Sequence, residues 1–240
     1  MRAGRVVLGA GLVAAAVGVR RRQVSSLAAT DPLGPQGCRL PEGRSLVVTT
    51  DDGAHLAVTV AGPETGPTVV LAHCWTGSRE TWGAVARRLV HGGYKVVLYD
   101  QRGHGQSSAP ADVLPSIPQL GHDLRAVIDA TGATDAVLVG HSMGGMTIQS
   151  YANEHPEHFS AHAKATVLVA TAARTLGRAL PARVAEAILG DGRLEWSRRG
   201  AVGRRVVRGA FGKTAHPSHI EATLEALVAT TGNARAGYLT

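Results

Sequence analysis

The sequence predicts an α/β protein with a doubly wound, mostly parallel sheet, on two observations. Four short runs are continuously apolar and rich in Val and Leu: residues 68–73, 95–100, 136–141 and 165–171. Strands that are apolar on both faces belong inside parallel sheets that helices cover. Helical stretches separate the runs: residues 80–91, 116–130 and 143–155. This alternation is typical of right-handed βαβ units, whose ligand sites lie beyond the carboxyl ends of the strands.

A β-hairpin is expected to open the folded domain at Ser45. The segments SLVVTT and HLAVTVAG have strand composition, and Asp51, Asp52 and Gly53 separate them. An Asp-Gly pair between two such segments favours a tight hairpin turn.

The predicted domain organisation has three further parts around the core of residues 45–171. Residues 23–44 are rich in Pro and Gly and indicate a linker. After Thr171 the strand pattern stops, and residues 172–240 have the pattern of several short helices, which predicts a helical lid or cap. The final core strands of such a sheet are therefore expected to be absent from this chain.

Residues 1–22 form an apolar and basic segment. Arginines flank an uncharged run over residues 6–19. A helix of that run spans about 21 Å, less than the roughly 30 Å of a bilayer core. Three interpretations of the segment stay open. It fits a short membrane anchor whose arginine side chains extend to the membrane surface. It also fits a secretory signal or a plain terminal helix. The expected location is correspondingly membrane-associated or exported.

Composition excludes several function classes. The net charge is +7, and a basic surface can attract nucleic acid or anionic lipid. No nucleic-acid motif or aromatic platform accompanies the charge, so nucleic acid is not an expected partner. Cys38 and Cys74 make neither a disulfide framework nor a metal site, and no HExxH motif is present. No metal or organic cofactor is implied.

The strongest motif is GHSMG at residues 140–144, between an apolar strand and a helix. In this strand–turn–helix setting, G-x-S-x-G is a nucleophile elbow that exposes Ser142 on a sharp turn. The tight turn demands small neighbours, which Gly140, Gly144 and Gly145 provide. The helix that starts at Met143 directs its positive end at the serine.

Two more blocks lie at strand ends before the elbow. LAHCWTGS (residues 71–78) follows the third predicted strand, and DQRGHGQS (residues 100–107) follows the fourth. Together with the elbow, and in this order, they resemble the α/β-hydrolase family, in particular its actinobacterial esterases and lipases. The resemblance covers roughly residues 45–171 and implies an α/β-hydrolase core.

The resemblance implies roles for several residues of these blocks. The backbone N–H groups of Trp75 and Met143 would form the oxyanion hole for a tetrahedral intermediate. His73 would hold the oxyanion loop, and His104 would shape the loop after the fourth strand. Cys74 departs from the family pattern, which has glycine there, and is interpreted as a small buried apolar residue.

Three acidic residues are interpreted as non-catalytic. Asp100 ends a strand near the serine, and its position predicts that it organises the loop as a partner of Arg102. Asp123 and Asp129 lie on the predicted helix 116–130 and are expected to face solvent.

Serine chemistry also needs a base and an acid that orients it. By the resemblance these follow later strands, and no strand followed by Asp or His occurs after Thr171, so the chain resembles a C-terminally truncated member. Five histidines follow the serine and are candidates for the base: His155, His158, His162, His216 and His219.

The predicted function is a serine hydrolase that acts on a carboxylic ester or related acyl substrate through an acyl-enzyme on Ser142. The partners expected are a small-molecule acyl substrate and, through residues 1–22, a membrane surface. Two alternatives stay open: a catalytically inactive protein of the same fold, and a cofactor-free haloperoxidase-like enzyme. The sequence does not specify the substrate.

Overall fold

The computed structural model describes residues 36–110, 115–173, 201–212 and 215–238. The apolar segment 1–22, most of the linker and the stretch ARVAEAIL of the predicted lid lie outside these ranges. Within the described ranges, no helix combines the length and apolar character that crossing a bilayer requires.

Six strands form one mixed sheet in the spatial order β1-β2-β4-β3-β5-β6. The strands are β1 (Gly43–Thr49), β2 (His55–Ala61), β3 (Thr68–Ala72), β4 (Lys95–Tyr99), β5 (Ala136–His141) and β6 (Ala163–Val169). The pairs β1–β2 and β2–β4 are antiparallel, whereas β4–β3, β3–β5 and β5–β6 are parallel. The predicted doubly wound, mostly parallel sheet with an N-terminal hairpin is confirmed.

The described helices alternate with the parallel strands and then continue without strands. They are α1 (Gly83–His91), preceded by a 3-10 turn at Arg79–Trp82, α2 (Ile117–Thr131), α3 (Met143–Glu154), α4 (Pro156–His162), α5 (Ala201–Gly209), α6 (Pro217–Ala229) and α7 (Gly232–Gly237). Local signals fix α2: the Ser116 hydroxyl accepts a bond from the Gln119 amide, and Gly132 ends the helix with φ of 59°.

The sheet has a core on each face. On one face α1 contributes Ala86, which packs with Leu71 and Leu98. On the other face α2 and α3 contribute Leu124 and Tyr151, among others, which belong to a larger cluster of buried strand residues. Continuous apolar strands are needed because both faces are covered.

The chain after Glu154 differs from the prediction. The helix predicted over residues 143–155 is followed by a second helix that was not predicted: the chain turns at His155 and starts the short helix α4 at Pro156. The residue before a proline is disfavoured in the α conformation, and His155 has φ of −135° and ψ of 58°. Proline itself fits the first turn of a helix, because the N–H it lacks would have no partner there. His158 and His162 therefore lie on a helix.

The described part of the predicted lid packs against the loop after β4. The Thr231 amide donates to the carbonyl of Gly103 at 2.9 Å, and Tyr238 Oη lies 3.4 Å from the carbonyl of Arg102. A Cβ at Gly103 would come within 2.6 Å of Ala234 Cβ. This loop is thus enclosed between the sheet and α7.

Candidate active site

Ser142 occupies the junction between β5 and α3. Its backbone has φ of 51° and ψ of −114°, in a region that residues with a Cβ rarely adopt. Such a conformation costs on the order of 1–3 kcal/mol and persists only where the surroundings enforce it. The side chain is half-buried, and no described residue forms a hydrogen bond with its hydroxyl.

Backbone atoms restrict the positions on both sides of the serine to glycine. A Cβ at Gly140 would come within 2.4 Å of the Gly144 carbonyl oxygen. A Cβ at Gly144 would come within 2.2 Å of the Ala72 carbonyl oxygen. These distances are far below van der Waals contact, and neither backbone can move without moving a central strand.

The segment after β6 holds the elbow in place. The Ser142 amide donates to the Val169 carbonyl at 2.9 Å, and the Thr171 hydroxyl donates to the Ser142 carbonyl at 2.6 Å. A Cβ at Gly145 would lie 2.6 Å from the Thr171 side chain, so the third glycine makes room for this brace. Thr171 was not singled out from the sequence, because its partner lies 29 positions away.

The loop after β3 emerges beside the elbow. Ala72 on β3 is in register with Gly140 on the neighbouring parallel strand β5, so both strands end at the same edge of the sheet. Neither the Trp75 amide nor the Met143 amide donates to an acceptor in the described part of the chain. The two N–H groups proposed for the oxyanion hole therefore remain available to a ligand.

His73 is fully buried and has both ring nitrogens engaged. Its Nδ1 donates to the Cys74 carbonyl at 2.7 Å, and its Nε2 accepts the Gln101 amide at 2.9 Å. Burial lowers the pKa of His73 to about 4, so the ring is neutral at neutral pH. His73 fixes the oxyanion loop to the loop after β4 and has no free nitrogen for proton transfer.

A buried amide continues this connection. Gln101 Nε2 donates to the His73 carbonyl at 2.6 Å, and Gln101 Oε1 accepts the Thr147 hydroxyl at 2.6 Å. Thr147 lies on α3, so the chain of bonds joins the oxyanion loop to the helix that carries Met143. Gln101 and Thr147 were not predicted from the sequence, although Gln101 lies within the block DQRGHGQS.

Asp100 organises its loop, but its partner was predicted wrongly. Its carboxylate accepts the amides of Arg79 at 2.7 Å and of Gln106 at 2.9 Å, and Arg79 Nη1 lies 3.3 Å away. Gly105 has φ of 53°, and a Cβ there would lie 2.4 Å from this carboxylate. Arg102 points elsewhere.

Arg102 binds two other carboxylates. It donates to both oxygens of Asp123, at 2.6 and 2.5 Å, and to both oxygens of Asp52, at 2.7 and 3.2 Å. The expectation that Asp123 faces solvent is therefore wrong, since this side chain is 1% exposed. Asp129 does lie at the surface, with a side chain 51% exposed.

His104 lies beneath the same loop. Its Nδ1 donates to the Arg102 carbonyl at 3.0 Å, and its ring contacts those of His73 and Tyr238. Burial lowers the pKa of His104 to about 3, so this ring is also neutral. Its Nε2 is buried and has no hydrogen-bond partner among the described residues.

Cys74 is half-buried in the oxyanion loop, and burial raises the pKa of its thiol. A protonated thiol is a poor nucleophile, which agrees with an apolar role for this residue. The carbonyl of Cys74 accepts the Gly77 amide at 3.0 Å and so closes the loop.

A family model for the alpha/beta hydrolase fold matches residues 67–189, just over half of the sequence. The chain belongs to the α/β-hydrolase fold family.

Relatives within this family include enzymes of more than one kind. The bifunctional esterase/perhydrolase DCH of Acinetobacter calcoaceticus is 34% identical over 109 residues, which are 45% of this chain and 39% of that protein. A non-heme chloroperoxidase of Burkholderia pyrrocinia is 32% identical over 130 residues, 51% of this chain and 44% of that protein. The chain thus spans about two fifths of these curated relatives.

A solved structure of an esterase from Rhodococcus has the same fold. It superposes with a TM-score of 0.68 at 24% identity, over 82% of this chain and 72% of that one. At this identity the likeness supports the fold alone.

The five candidate histidines fall into two groups. His155, His158 and His162 lie at or beyond the end of α3, whose twelve residues put them about 18 Å from the serine. His216 and His219 lie at the start of α6, where their rings contact each other. None of these histidines hydrogen-bonds Ser142 Oγ within the ranges that the structure describes.

Proposed function

We propose that this chain carries the nucleophile and the oxyanion hole of a serine hydrolase that acts on carboxylic esters. The observation that carries the proposal is the strained backbone of Ser142, which strand, loop and following segment all enforce. Strain of this kind is concentrated at functional sites. The esterase/perhydrolase relative supports the substrate class.

In the proposed reaction Ser142 Oγ attacks the ester carbonyl carbon. The carbonyl electron pair moves to the oxygen, which accepts bonds from the amides of Met143 and Trp75, and the alcohol then leaves. One such donor increases the catalytic rate by a factor of roughly 10²–10³. A base takes the proton of the serine and returns it to the leaving alkoxide, and water then cleaves the acyl-enzyme to release the acid. The family resemblance places this base after a later strand.

The test is covalent labelling of the purified chain with a fluorophosphonate probe. Ser142 Oγ forms the bond to phosphorus, fluoride leaves, and mass spectrometry locates the modified peptide. We expect one label per chain on Ser142, none in Ser142→Ala, and full labelling in the control Ser150→Ala on the same helix. A folded chain that takes no label, or a label that survives Ser142→Ala, contradicts the proposal and favours the catalytically inactive alternative.

The chloroperoxidase relative favours a second candidate, a cofactor-free haloperoxidase-like activity. Both candidates form the same acyl-enzyme and differ in whether water or hydrogen peroxide attacks it. Acetate, peroxide and bromide supplied together separate them, because only attack by peroxide yields the peracid that oxidises bromide. Bromination that depends on Ser142 supports this candidate.

A further inference from the structure

Three potential metal ligands converge at the end of the molecule opposite the serine. Asp129 on α2 faces His158 and His162 on α4, and their ligand atoms lie within 4.8 Å of one another. His158 Nε2 and Asp129 Oδ1 are 2.8 Å apart. The histidines are four residues apart on one helix, so they share a face, and their rings stack at 3.9 Å.

The hydrogen bonds of the second ring nitrogens orient both histidines. His162 Nδ1 donates to the carbonyl of His158 at 2.9 Å, which leaves the lone pair of its Nε2 free. His158 Nδ1 lies 2.6 Å from the hydroxyl of Tyr151. Histidines that bind metals almost always use their other nitrogen in this way, because the bond fixes the tautomer and the ring orientation.

We propose that Asp129, His158 and His162 form a binding site for a zinc ion. Two imidazole nitrogens and one carboxylate oxygen are a donor set that Zn²⁺ accepts, with water as the fourth ligand of a tetrahedron. Metal bonds of about 2.0–2.1 Å place the donor atoms roughly 3.3 Å apart. His158 Nε2 and Asp129 Oδ1 are closer than this, at 2.8 Å, and the His158 and His162 rings are nearly parallel, at 14°. Binding of the ion therefore requires the exposed Asp129 side chain and the His162 ring to reorient.

The surrounding groups tolerate the ion. Zinc would replace the proton that lies between His158 Nε2 and Asp129. The His158 ring would then carry its proton on Nδ1 and donate it to the Tyr151 hydroxyl. Arg125 Nε lies 3.6 Å from the other carboxylate oxygen of Asp129, so Oδ1 remains accessible. The ring of Tyr151 is fully buried, which keeps its hydroxyl in position.

The site has a structural consequence rather than a catalytic one. It lies about one helix length, roughly 18 Å, from Ser142. The ion would join α2 to α4 and so hold the helix that leads into β6. Zinc should therefore raise the melting temperature of the chain, since a ligand that binds the folded state stabilises it.

The experiment is calorimetric titration of Zn²⁺ into the full chain without an affinity tag. We expect one ion per chain, and His162→Gln should raise the dissociation constant at least tenfold. Tyr151→Phe removes only the orienting hydroxyl and should raise it about tenfold. The control His91→Gln removes an exposed histidine on α1 and should leave the affinity unchanged. Co²⁺ in place of zinc should give the visible absorption of a four-coordinate site.

Unchanged affinity in both His162→Gln and Asp129→Asn would overturn the zinc site. If His216→Gln then abolished binding, the ion would belong to the histidine pair of α6. Circular dichroism and melting of each metal-free variant ensure that lost binding does not reflect misfolding. Ser142→Ala should bind zinc normally, so this test is independent of the proposed hydrolase activity.

Discussion

Arg102 is buried with its guanidinium between two carboxylates from different parts of the chain. Asp123 comes from α2 and Asp52 from the turn between β1 and β2. The hydrogen bond from Arg102 lowers the pKa of Asp52 to about 2. A buried ion pair adds little net stability over apolar packing, but removal of one partner leaves an unpaired charge and is costly. The two ion pairs of Arg102 therefore hold the loop after β4 in one position.

Asp123→Asn should destabilise the chain by about 3–5 kcal/mol, because it leaves Arg102 with an uncompensated buried charge on that side. Urea denaturation followed by circular dichroism measures the change. Asp135→Asn, at an exposed position, is the matched control and should change stability by less than about 0.5 kcal/mol. A loss below about 1 kcal/mol in Asp123→Asn would mean that Asp52 alone neutralises Arg102.

At the scale of secondary-structure elements, the features that depend on neighbouring residues were predicted correctly from the sequence. The strands, the hairpin and the strand–turn–helix setting of Ser142 each have a signal within about twenty residues. The steric limits at Gly140 and Gly144 follow from the elbow itself, and the structure gives the contacts that impose them. These features were predictable because their physical cause is local.

The partners of buried polar groups were not predictable in this way. Asp123 was placed on the solvent side because a helical pattern does not reveal an arginine in a loop 21 positions away. The spacing of His158 and His162 would have indicated a shared helical face, but the helix predicted over residues 143–155 stops just before Pro156. A proline can equally start a helix, and here it does.

The connection between the oxyanion loop and α3 can be tested at Thr147. Thr147→Val keeps the shape of the side chain but leaves Gln101 Oε1 unpaired, which costs about 1–3 kcal/mol of stability. Because Gln101 holds the His73 carbonyl, we also expect slower fluorophosphonate labelling of Ser142. The measurement is the labelling rate against probe concentration, which separates binding of the probe from the bond-forming step.

Thr131→Val is the matched control for this change. The Thr131 hydroxyl is buried and, among the residues that the structure describes, bonds only to carbonyls of its own helix, at 2.7 and 3.3 Å. It should cost some stability and leave the labelling rate unchanged. Equal labelling rates for Thr147→Val and the unsubstituted chain would show that Gln101 does not position the loop.

For the whole molecule, the last strand of the sheet determines how much apolar surface is covered. Among the described residues β6 pairs only with β5, and its Val167, Leu168 and Val169 are 45%, 45% and 42% exposed. Exposed apolar edge strands favour association between chains. We therefore predict that the chain is marginally stable or prone to aggregation, which a cooperative melt at high temperature would contradict.

Stability of the whole molecule should fall as the pH is lowered from 6.5 toward 4. Burial lowers the pKa of His73 to about 4 and of His104 to about 3, whereas both titrate near 6.5 when unfolded. Between these values the unfolded chain binds more protons than the folded chain, so acid favours unfolding. Each histidine contributes a slope approaching about 1.4 kcal/mol per pH unit. Asp52 adds to the loss only below about pH 3.8, because its folded pKa is lowered to about 2.

Urea midpoints between pH 4.5 and 7 measure this slope. His104→Asn keeps a side chain that can donate to the Arg102 carbonyl but removes one titrating ring, so the slope should fall by up to about 1.4 kcal/mol per pH unit. His91→Gln removes an exposed ring and should leave the slope as it is. Stability that does not change over this range would mean that His73 and His104 bind protons equally in the folded and unfolded chains, and hence that neither ring is held neutral by burial beneath the active-site loops.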